Sequence, residues 1–332
     1  MGDIVNKPIA LLISISILLN KFLILLGARI SFKSIYNLVD SYNQNTTLSF
    51  LEIDKALKEW GFDTFAIRMK PQALSKIKYP VLSHITENDT EEFIILTNYD
   101  EDLISYIQAG AKEKKENITS FLKKWQGIIL MADSDYTISE SNYERTKEED
   151  KKLQQNYLNN KMRLVDDFFS LGECNELIET SQTLFRRSMV TGDGKNYLIS
   201  PYRTSQSAFL SDLEKELKNR IKEKSILLLN GLPYNRFEDI QCVSYRMNQE
   251  FKAHFDSGKG TTRLYTILVY LNDNFQGGET YFPLLDLTIK PKTGRALVFH
   301  NLEKNNSINI YSYHAGLPIE HGNKFICNIW IR

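Results

Sequence analysis

The spacing of apolar and polar residues divides the chain into three parts. A nearly unbroken apolar run from Ile9 to Gly27 opens the first part, and shorter periodic segments continue to about residue 132. Residues 133–160 are polar, rich in charge and almost free of aliphatic side chains. From residue 161 to residue 332, short apolar and alternating segments are separated by turn residues, which is the pattern of β-strands. We therefore predict two domains, 1–132 and 161–332, joined by a polar linker over 133–160 that includes a solvated helical part.

The apolar run over residues 9–27 approaches the length of a membrane span. Asn20 and Lys21 interrupt it near the middle, and a central lysine is costly in lipid. The residues before the run lack the positive bias of a signal peptide, and no small-residue cleavage site follows. We expect a helix buried within the first domain. A membrane anchor through residues 9–27 is the alternative, and a signal peptide fits least.

The segments after this run predict an α+β domain. Leu51, Ile53, Leu57 and Trp60 form an approximate helical stripe within residues 48–60. Strands are expected over 64–69, 79–83 and 92–97. A further helix is expected from Phe121 through Trp125, with a stop at Gly127 and a final strand to Ala132.

The second domain is expected to consist mainly of strands, with helices near 173–182 and 211–225. Residues 263–271 alternate in polarity, and Gly277 and Gly278 mark a tight turn. These features predict a double-stranded β-helix, the jelly-roll barrel of the cupin kind.

Composition narrows the classes of function. Lys plus Arg equals Asp plus Glu at 41 each, so the formal net charge is zero. A nucleic-acid partner is not expected, because such proteins usually carry a basic excess. The three cysteines, Cys174, Cys242 and Cys327, form no disulfide framework or zinc spacing. Small buried thiols in a reducing compartment are the simplest interpretation, and we expect a cytoplasmic location.

His254, Asp256 and His314 are the most informative side chains in the chain. Residues two apart on a strand point to the same face, so His254 and Asp256 can act together. Two imidazoles and one carboxylate can hold ferrous iron on one side and leave three positions for a co-substrate and dioxygen. Lys324 follows His314 by ten residues. His300 is the one rival ligand, although its place at the end of an apolar strand favours a structural or pocket-lining role.

The order of these residues resembles the prolyl 4-hydroxylase branch of the iron- and 2-oxoglutarate-dependent dioxygenases. The resemblance covers about residues 161–332 and includes several motifs in the family's order. These motifs lie within residues 164–179, 203–210, 262–283, 313–318, 322–324 and 328–330. The family has a jelly-roll barrel, uses Fe(II), 2-oxoglutarate and dioxygen, and takes ascorbate as a reductant.

The resemblance assigns roles to individual residues. His254, Asp256 and His314 are implied to bind iron, and Lys324 is implied to pair with the distal carboxylate of 2-oxoglutarate. The same carboxylate is expected to accept hydrogen bonds from Tyr245 and Thr280. Trp330 corresponds to an aromatic residue beside this pocket, while Arg263 and Arg203 correspond to residues that contact the substrate.

The first domain is similar to papain-like leader peptidases that precede bacteriocin exporters, and more so to inactive-looking copies in bacterial oxidoreductase fusions. A papain-like protease needs a cysteine nucleophile and a histidine base. No cysteine occurs before Cys174, and Glu92 stands at the histidine position. We therefore predict a degenerate domain that does not cleave peptides. It either binds a peptide, such as a leader segment, or has only a stabilising or dimerising role.

These features predict an enzyme that hydroxylates a peptidyl residue, most simply proline, and releases succinate and CO2. Within this class, a small molecule, a free amino acid or another peptidyl residue such as Asn, Asp or Lys is the alternative substrate. The alternative of another class is a non-catalytic peptide-binding protein.

Overall fold

The computed structural model describes residues 9–42, 49–87, 90–191, 197–210, 215–231, 234–258 and 260–332. The chain divides into two compact units, Met1–Lys152 and Leu153–Arg332. The division falls inside the segment that we predicted as the linker.

The first unit contains helices and an antiparallel sheet. The helices are α1 (Ile9–Leu25), α2 (Phe32–Tyr42), α3 (Phe50–Glu59) and the short α4 (Ile118–Leu122). The strands are β1 (Asp63–Arg68), β2 (Val81–Glu87), β3 (Thr90–Asp100), β4 (Leu103–Gln108), β5 (Lys114–Asn117) and β6 (Trp125–Asp133). They form one six-stranded sheet in the order β1-β6-β2-β3-β4-β5.

The sheet of the first unit is covered by apolar side chains on both faces. Because successive strand residues point to opposite faces, Leu82 and Ile95 pack with the helices, while Val81 and Ile94 belong to a second core. Helix α1 contributes eight buried residues, and its Phe22 is fully inaccessible. The predicted buried helix is therefore confirmed. No helix in the described residues is long and apolar enough to cross a membrane.

One local expectation for the first unit needs correction. Trp125 does not lie in a helix, because α4 ends at Leu122 and Trp125 opens β6. In β6 the indole packs on Phe121 and donates to Ser83 Oγ at 2.7 Å, so tertiary contacts determine its position. Helix α2 and strands β4 and β5 were not predicted. By contrast, the capping box formed by Ser49 and Glu52 begins α3 close to the predicted position.

The helix α5 (Tyr143–Asn160) runs through the predicted linker from the first unit into the second. Most of its side chains are exposed, as expected for a solvated helix. Two residues of the predicted linker nevertheless help to build a core. Ile138 belongs to the core of the first unit, and Tyr157 is 1% exposed in the second. The Tyr157 hydroxyl donates to the His300 carbonyl oxygen at 3.0 Å.

The second unit contains two further helices and short strands. The helices are α6 (Leu171–Gln182) and α7 (Lys215–Leu228); residues 211–214 of the predicted second helix lie outside the described residues. The strands are β7 (Met162–Val165), β8 (Arg186–Arg187), β9 (Met189–Thr191), β10 (Tyr197–Ile199), β11 (Gln206–Phe209), β12 (Gln241–Tyr245), β13 (Phe251–His254), β14 (Tyr265–Tyr270), β15 (Gln276–Gly277), β16 (Thr280–Phe282), β17 (Leu287–Ile289), β18 (Ala296–His300), β19 (His314–Gly316), β20 (Ile319–His321) and β21 (Lys324–Ile331).

Two sheets of unequal size form the body of this unit. The major sheet has the order β7-β18-β14-β21-β12-β11-β8, and the minor sheet has the order β13-β19-β16-β17. Leu268 and Leu297 of the major sheet share a core with Phe282 and Ile289 of the minor sheet. The opposite face of the major sheet packs on α6 and α7. The predicted α+β architecture with a jelly-roll second domain is confirmed.

The cysteines lie in the core between the major sheet and its helices. All three are free thiols and are buried, as predicted. Although far apart in sequence, Cys242 and Cys327 face each other on neighbouring strands β12 and β21.

Candidate metal centre

The minor sheet brings together the side chains that the sequence singled out. His254 ends β13 and lies directly opposite His314, the first residue of β19. Asp256 follows His254 by two residues and turns toward both rings. Its Oδ1 lies 3.7 Å from His254 Nε2, and its Oδ2 lies 3.9 Å from His314 Nε2. In the described part of the chain, this is the one group of three or more His, Cys, Asp or Glu whose ligand atoms approach within 4.8 Å.

Backbone carbonyl groups set the orientation of both imidazoles. His254 Nδ1 lies 2.9 Å from the Lys252 oxygen, and His314 Nδ1 lies 2.8 Å from the Ser312 oxygen. A carbonyl oxygen can only accept, so Nδ1 carries the proton in each neutral ring. The Nε2 lone pairs then face the shared space, as in metal-binding histidines whose second nitrogen is held by a neighbour. Phe251 stacks on His254 at a centroid distance of 3.5 Å and restricts its rotation.

The electrostatics favour a cation between these groups. Burial and the nearby His254 lower the pKa of His314 to about 4, so its ring is neutral near pH 7. Burial alone would raise the pKa of Asp256, but His254, His314 and Arg263 hold it well below the ordinary range. An ionised carboxylate and two neutral imidazoles are the donor set that a divalent transition metal accepts.

A pocket adjoins the three candidate ligands. Its wall includes Tyr245, Thr280, Lys324 and Trp330, all of which the sequence predicted at a cosubstrate site. The predicted substrate residues Arg263 and Arg203 are not among its lining residues.

Lys324 is the unusual member of this wall because it is 2% exposed. Its Nζ donates to the Gly278 carbonyl oxygen at 2.6 Å and lies 5.2 Å from the Tyr245 ring centroid. Among the described residues, no carboxylate lies at ion-pair distance from this ammonium group. Burial consequently lowers the pKa of Lys324 to about 7. A buried ammonium group without a counter-ion is costly, so an anionic ligand would be stabilised here.

Glycine is required where Lys324 meets the turn before β16. Gly278 has a positive φ of 69°, and a Cβ there would lie 2.3 Å from Ile319 Cδ1. It would also lie 3.2 Å from Lys324 Cδ, so the lysine stem would have to shift by a few tenths of an ångström. The glycine pair noticed in the sequence therefore shapes the pocket as well as the turn.

Hydroxyl groups surround the same end of the pocket. Tyr270 Oη and Thr280 Oγ1 are 2.7 Å apart, and both residues are buried. Tyr245 faces Lys324 across the β12–β21 pair. Tyr270 was missed by the sequence reasoning. Thr266, Leu268 and Tyr270 are alternate residues of β14 and therefore share one face of the strand. This alternation is visible in the sequence and could have identified Tyr270.

Arg263 lies over the Trp330 ring, with its guanidinium carbon 3.6 Å from the ring centroid. Glu238 accepts from Arg263 Nη2 at 2.8 Å, so the positive charge is compensated. Glu238 also accepts from Arg332. Trp330 Nε1 is buried and has no hydrogen-bond partner in the described structure. Arg263 therefore holds the indole against one side of the pocket.

Arg203 is 6% exposed. It donates to Gln241 Oε1 at 2.9 Å and to Ser205 Oγ at 3.2 Å. Its guanidinium also lies 4.9 Å from the Phe251 ring centroid, and Phe251 stacks on His254. Arg203 therefore supports the candidate metal centre through its contact with Phe251.

His300, the rival ligand, lies outside the metal-binding group. Its ring packs edge-on against Tyr265 at 4.5 Å, and burial lowers its pKa. The structural interpretation of this histidine agrees with its position.

The position of the missing protease base in the first unit is occupied by a polar pair. Glu92 Oε2 accepts from Gln108 Nε2 at 2.8 Å. Neither side chain can activate a nucleophile as a neutral histidine does, and no cysteine precedes Cys174.

Comparisons with known proteins find a matching family for a part of each half of the chain. A family model described as the 2OG-Fe(II) oxygenase superfamily matches residues 240–332, and one described as the Peptidase C39 family matches residues 8–137. Both predicted resemblances are therefore confirmed.

Among curated proteins, a putative prolyl 4-hydroxylase of Acanthamoeba polyphaga mimivirus is 34% identical over 187 residues, covering 52% of this chain and 74% of that protein. Prolyl 4-hydroxylase 2 of Arabidopsis thaliana is 30% identical, covering 51% of this chain and 66% of that protein. Among solved structures, the viral collagen prolyl hydroxylase of Paramecium Bursaria Chlorella virus-1 is 30% identical. That match covers 52% of this chain and 96% of the viral chain, with a TM-score of 0.42.

The buried charge of Lys324 predicts a specific dependence of stability on pH. The pKa of Lys324 is about 7 in the folded protein, against an ordinary value of 10.5. Between these values the unfolded chain binds more protons, so the cost of burying the charge is relieved as pH rises. Relative to Lys324→Met, the metal-free wild-type protein should gain stability between pH 7 and pH 9.

Urea denaturation of both proteins at several pH values measures this difference. The exposed Lys290→Met is the matched control and should show no such slope. A constant difference between wild type and Lys324→Met across this range would contradict the assignment of an uncompensated buried ammonium group.

Proposed function

The chain belongs to the prolyl 4-hydroxylase group of the 2OG-Fe(II) oxygenases, and on this premise we propose that its second unit hydroxylates a residue of a peptide or protein substrate. Fe(II), 2-oxoglutarate and dioxygen are the cofactors of this family. We extend the proposal to His254, Asp256 and His314 as the iron ligands.

The observation that carries this proposal is the buried, uncompensated charge of Lys324 on the wall that the three candidate ligands also line. A dicarboxylate with one end near the ligand group could place its other carboxylate at Lys324. Tyr245 and Thr280 line the same pocket. A charge-assisted hydrogen bond inside the barrel is stronger than its solvent-exposed equivalent, and this favours an anion that reaches deep into the site.

The residues present fit the ion. Two imidazoles with free Nε2 atoms and an ionised carboxylate provide three donors on one side. When bound, iron with 2-oxoglutarate and dioxygen supplies the oxidising power that yields succinate and CO2 and adds one oxygen atom to the substrate. The protein holds the donors in place and excludes water from the carboxylate pocket. We propose ascorbate as the reductant, and turnover that ascorbate does not prolong would remove it from the scheme.

Removal of either imidazole should abolish metal binding, because the two remaining donors would bind a labile ferrous ion weakly. We expect His254→Ala and His314→Ala to lose both Fe(II) binding and succinate formation, as measured by anaerobic calorimetry and by product analysis. Asp256→Ala should behave similarly, although an added anion can occupy a vacated carboxylate position. The exposed His321→Ala is the matched control. Wild-type turnover in either metal-site variant would refute the ligand assignment.

Proline is the favoured target because the relatives that match this unit are prolyl 4-hydroxylases. We propose Arg263 and Arg203 as substrate-binding residues; Arg263 stacks on Trp330, and Arg203 lies against Phe251. Tandem mass spectrometry of peptides treated with the protein should locate one added oxygen atom on a prolyl residue. Oxygen found only on another side chain or on a small molecule would contradict this choice of substrate.

We further propose that the first unit recruits the substrate, most simply by binding a leader segment of the peptide. The match to the Peptidase C39 family and the absence of a protease nucleophile support a binding role. A shortened chain should begin at residue 153 rather than 161, because Tyr157 belongs to the core of the second unit.

The shortened chain 153–332 should keep succinate formation in the absence of peptide, since every proposed ligand lies within it. Its KM for the true peptide should rise strongly, because the recruiting surface has been removed. The matched control is a peptide without its leader, for which both proteins should have the same KM. Equal KM values for the leader-bearing peptide would show that the first unit has only a structural role.

We propose a cytoplasmic location, supported by three cysteines that remain free thiols although Cys242 and Cys327 are cross-strand neighbours. Cell fractionation tests this. A protein that stays in the membrane pellet through high salt and carbonate would contradict it.

A further inference from the structure

Asp256 is held by a second side chain that the sequence analysis did not identify. Thr266 Oγ1 donates to Asp256 Oδ2 at 2.6 Å. Thr266 lies in β14, the third strand of the major sheet, and is 1% exposed. This bond therefore joins the candidate metal centre to a buried strand inside the major sheet.

The contact continues one residue further from the metal centre. Asn301 Nδ2 donates to Thr266 Oγ1 at 2.9 Å, and Asn301 is completely buried. The backbone of Asn301 is fixed on both sides, since its N–H donates to the Leu264 oxygen and its carbonyl accepts from the Asn309 N–H, each at 2.9 Å. The amide group therefore has little freedom to move away from Thr266.

The direction of both hydrogen bonds follows from chemistry. A carboxylate that binds a cation is ionised and can only accept, so the single hydroxyl proton of Thr266 must point at Asp256. The Thr266 oxygen then has only lone pairs to offer, and the neighbouring amide must present its NH2 group. This polarity assigns the orientation of Asn301 without reference to hydrogen positions.

The oxygen atom of the Asn301 amide indicates which role this side chain has. Asn301 Oδ1 is buried and has no hydrogen-bond partner in the described structure. An unpaired buried carbonyl destabilises the fold, and an apolar residue of similar shape would avoid that cost. The amide is therefore better explained by its donor, which acts on Thr266, than by packing.

We propose that Thr266 and Asn301 are positioning residues that fix the rotation of the Asp256 carboxylate toward the metal ion. Thr266 occupies Oδ2, which leaves Oδ1 for the ion and keeps the carboxylate monodentate. A monodentate carboxylate leaves open the coordination positions that a cosubstrate and dioxygen need. Groups that orient a metal ligand in this way commonly change metal affinity when they are removed.

The test uses Co²⁺ binding to the full-length, metal-free protein, followed by the visible absorption of the bound ion. Thr266→Val keeps the shape of the side chain and removes the hydroxyl group, and should weaken Co²⁺ binding by about 10- to 100-fold with an altered spectrum. Thr266→Ser keeps the hydroxyl group and should retain most of the affinity. Thr288→Val, on the edge strand β17 of the minor sheet, is the matched control and should bind as wild type does.

A double-mutant cycle tests whether Asn301 acts on Asp256 through Thr266 or whether its replacement causes a general loss of structure. Asn301→Leu alone should weaken Co²⁺ binding by about tenfold. In the Thr266→Val background it should have almost no further effect, because its action passes through the missing hydroxyl group. Equal effects of Asn301→Leu in both backgrounds, or wild-type affinity and spectrum in Thr266→Val, would overturn the inference. If Thr266→Val does not fold, weakened Co²⁺ binding in Asn301→Leu supports the proposed role of Asn301, and unchanged binding refutes it.

This inference rests on the proposed iron site, but the two can fail separately. If the wild-type protein shows no Co²⁺ binding that depends on His254, the proposed function fails. If the wild-type protein binds and both positioning variants bind equally well, only the roles of Thr266 and Asn301 fail.

Discussion

The burial of an ammonium group without a carboxylate partner is the constraint on which the second unit depends. Lys324 is fully enclosed between the two sheets, and among the described residues its ammonium group contacts a backbone carbonyl and two aromatic rings. Such a group destabilises the empty barrel unless a ligand brings an anion. The same pocket wall carries the two imidazoles and the carboxylate that suit a divalent metal. Together they support the proposal that a dicarboxylate spans the distance between a metal ion and a buried cation.

The jelly-roll barrel makes this site from short strands with few residues each. His254 and His314 meet because β13 and β19 pair directly at those residues. Lys324 and Tyr245 face each other because β12 and β21 pair directly at these two residues. Inward-facing side chains of the major-sheet strands β12 and β21 line the proposed site, while the opposite face of the major sheet packs on α6 and α7. The geometry of the proposed site and the core packing are therefore set by the same registers.

The candidate metal ligands could be identified in the sequence because their chemistry is carried by residue type and by short spacing. His254 and Asp256 lie two residues apart on one side of a strand end, and Lys324 follows a glycine turn. Thr266 and Asn301 could not be found in this way, since their function depends on a contact across 35 residues of chain. Local propensity also misplaced Trp125, whose strand is determined by contacts with Ser83 and Phe121. Tyr157 was missed for a similar reason. It lies in a polar helix, although its side chain is buried among residues that are distant in the sequence.

The most direct measurement is an anaerobic titration of the Fe(II)-loaded protein with 2-oxoglutarate, followed by visible absorption. Chelation of the iron by the cosubstrate should produce a new visible band that saturates at one 2-oxoglutarate per chain. In Lys324→Ala the same band should require about 30- to 150-fold more 2-oxoglutarate, which corresponds to the loss of a charge-assisted contact of about 2–3 kcal/mol. If no band forms in the wild-type protein, or if Lys324→Ala titrates at the same concentration, the account of this site is wrong.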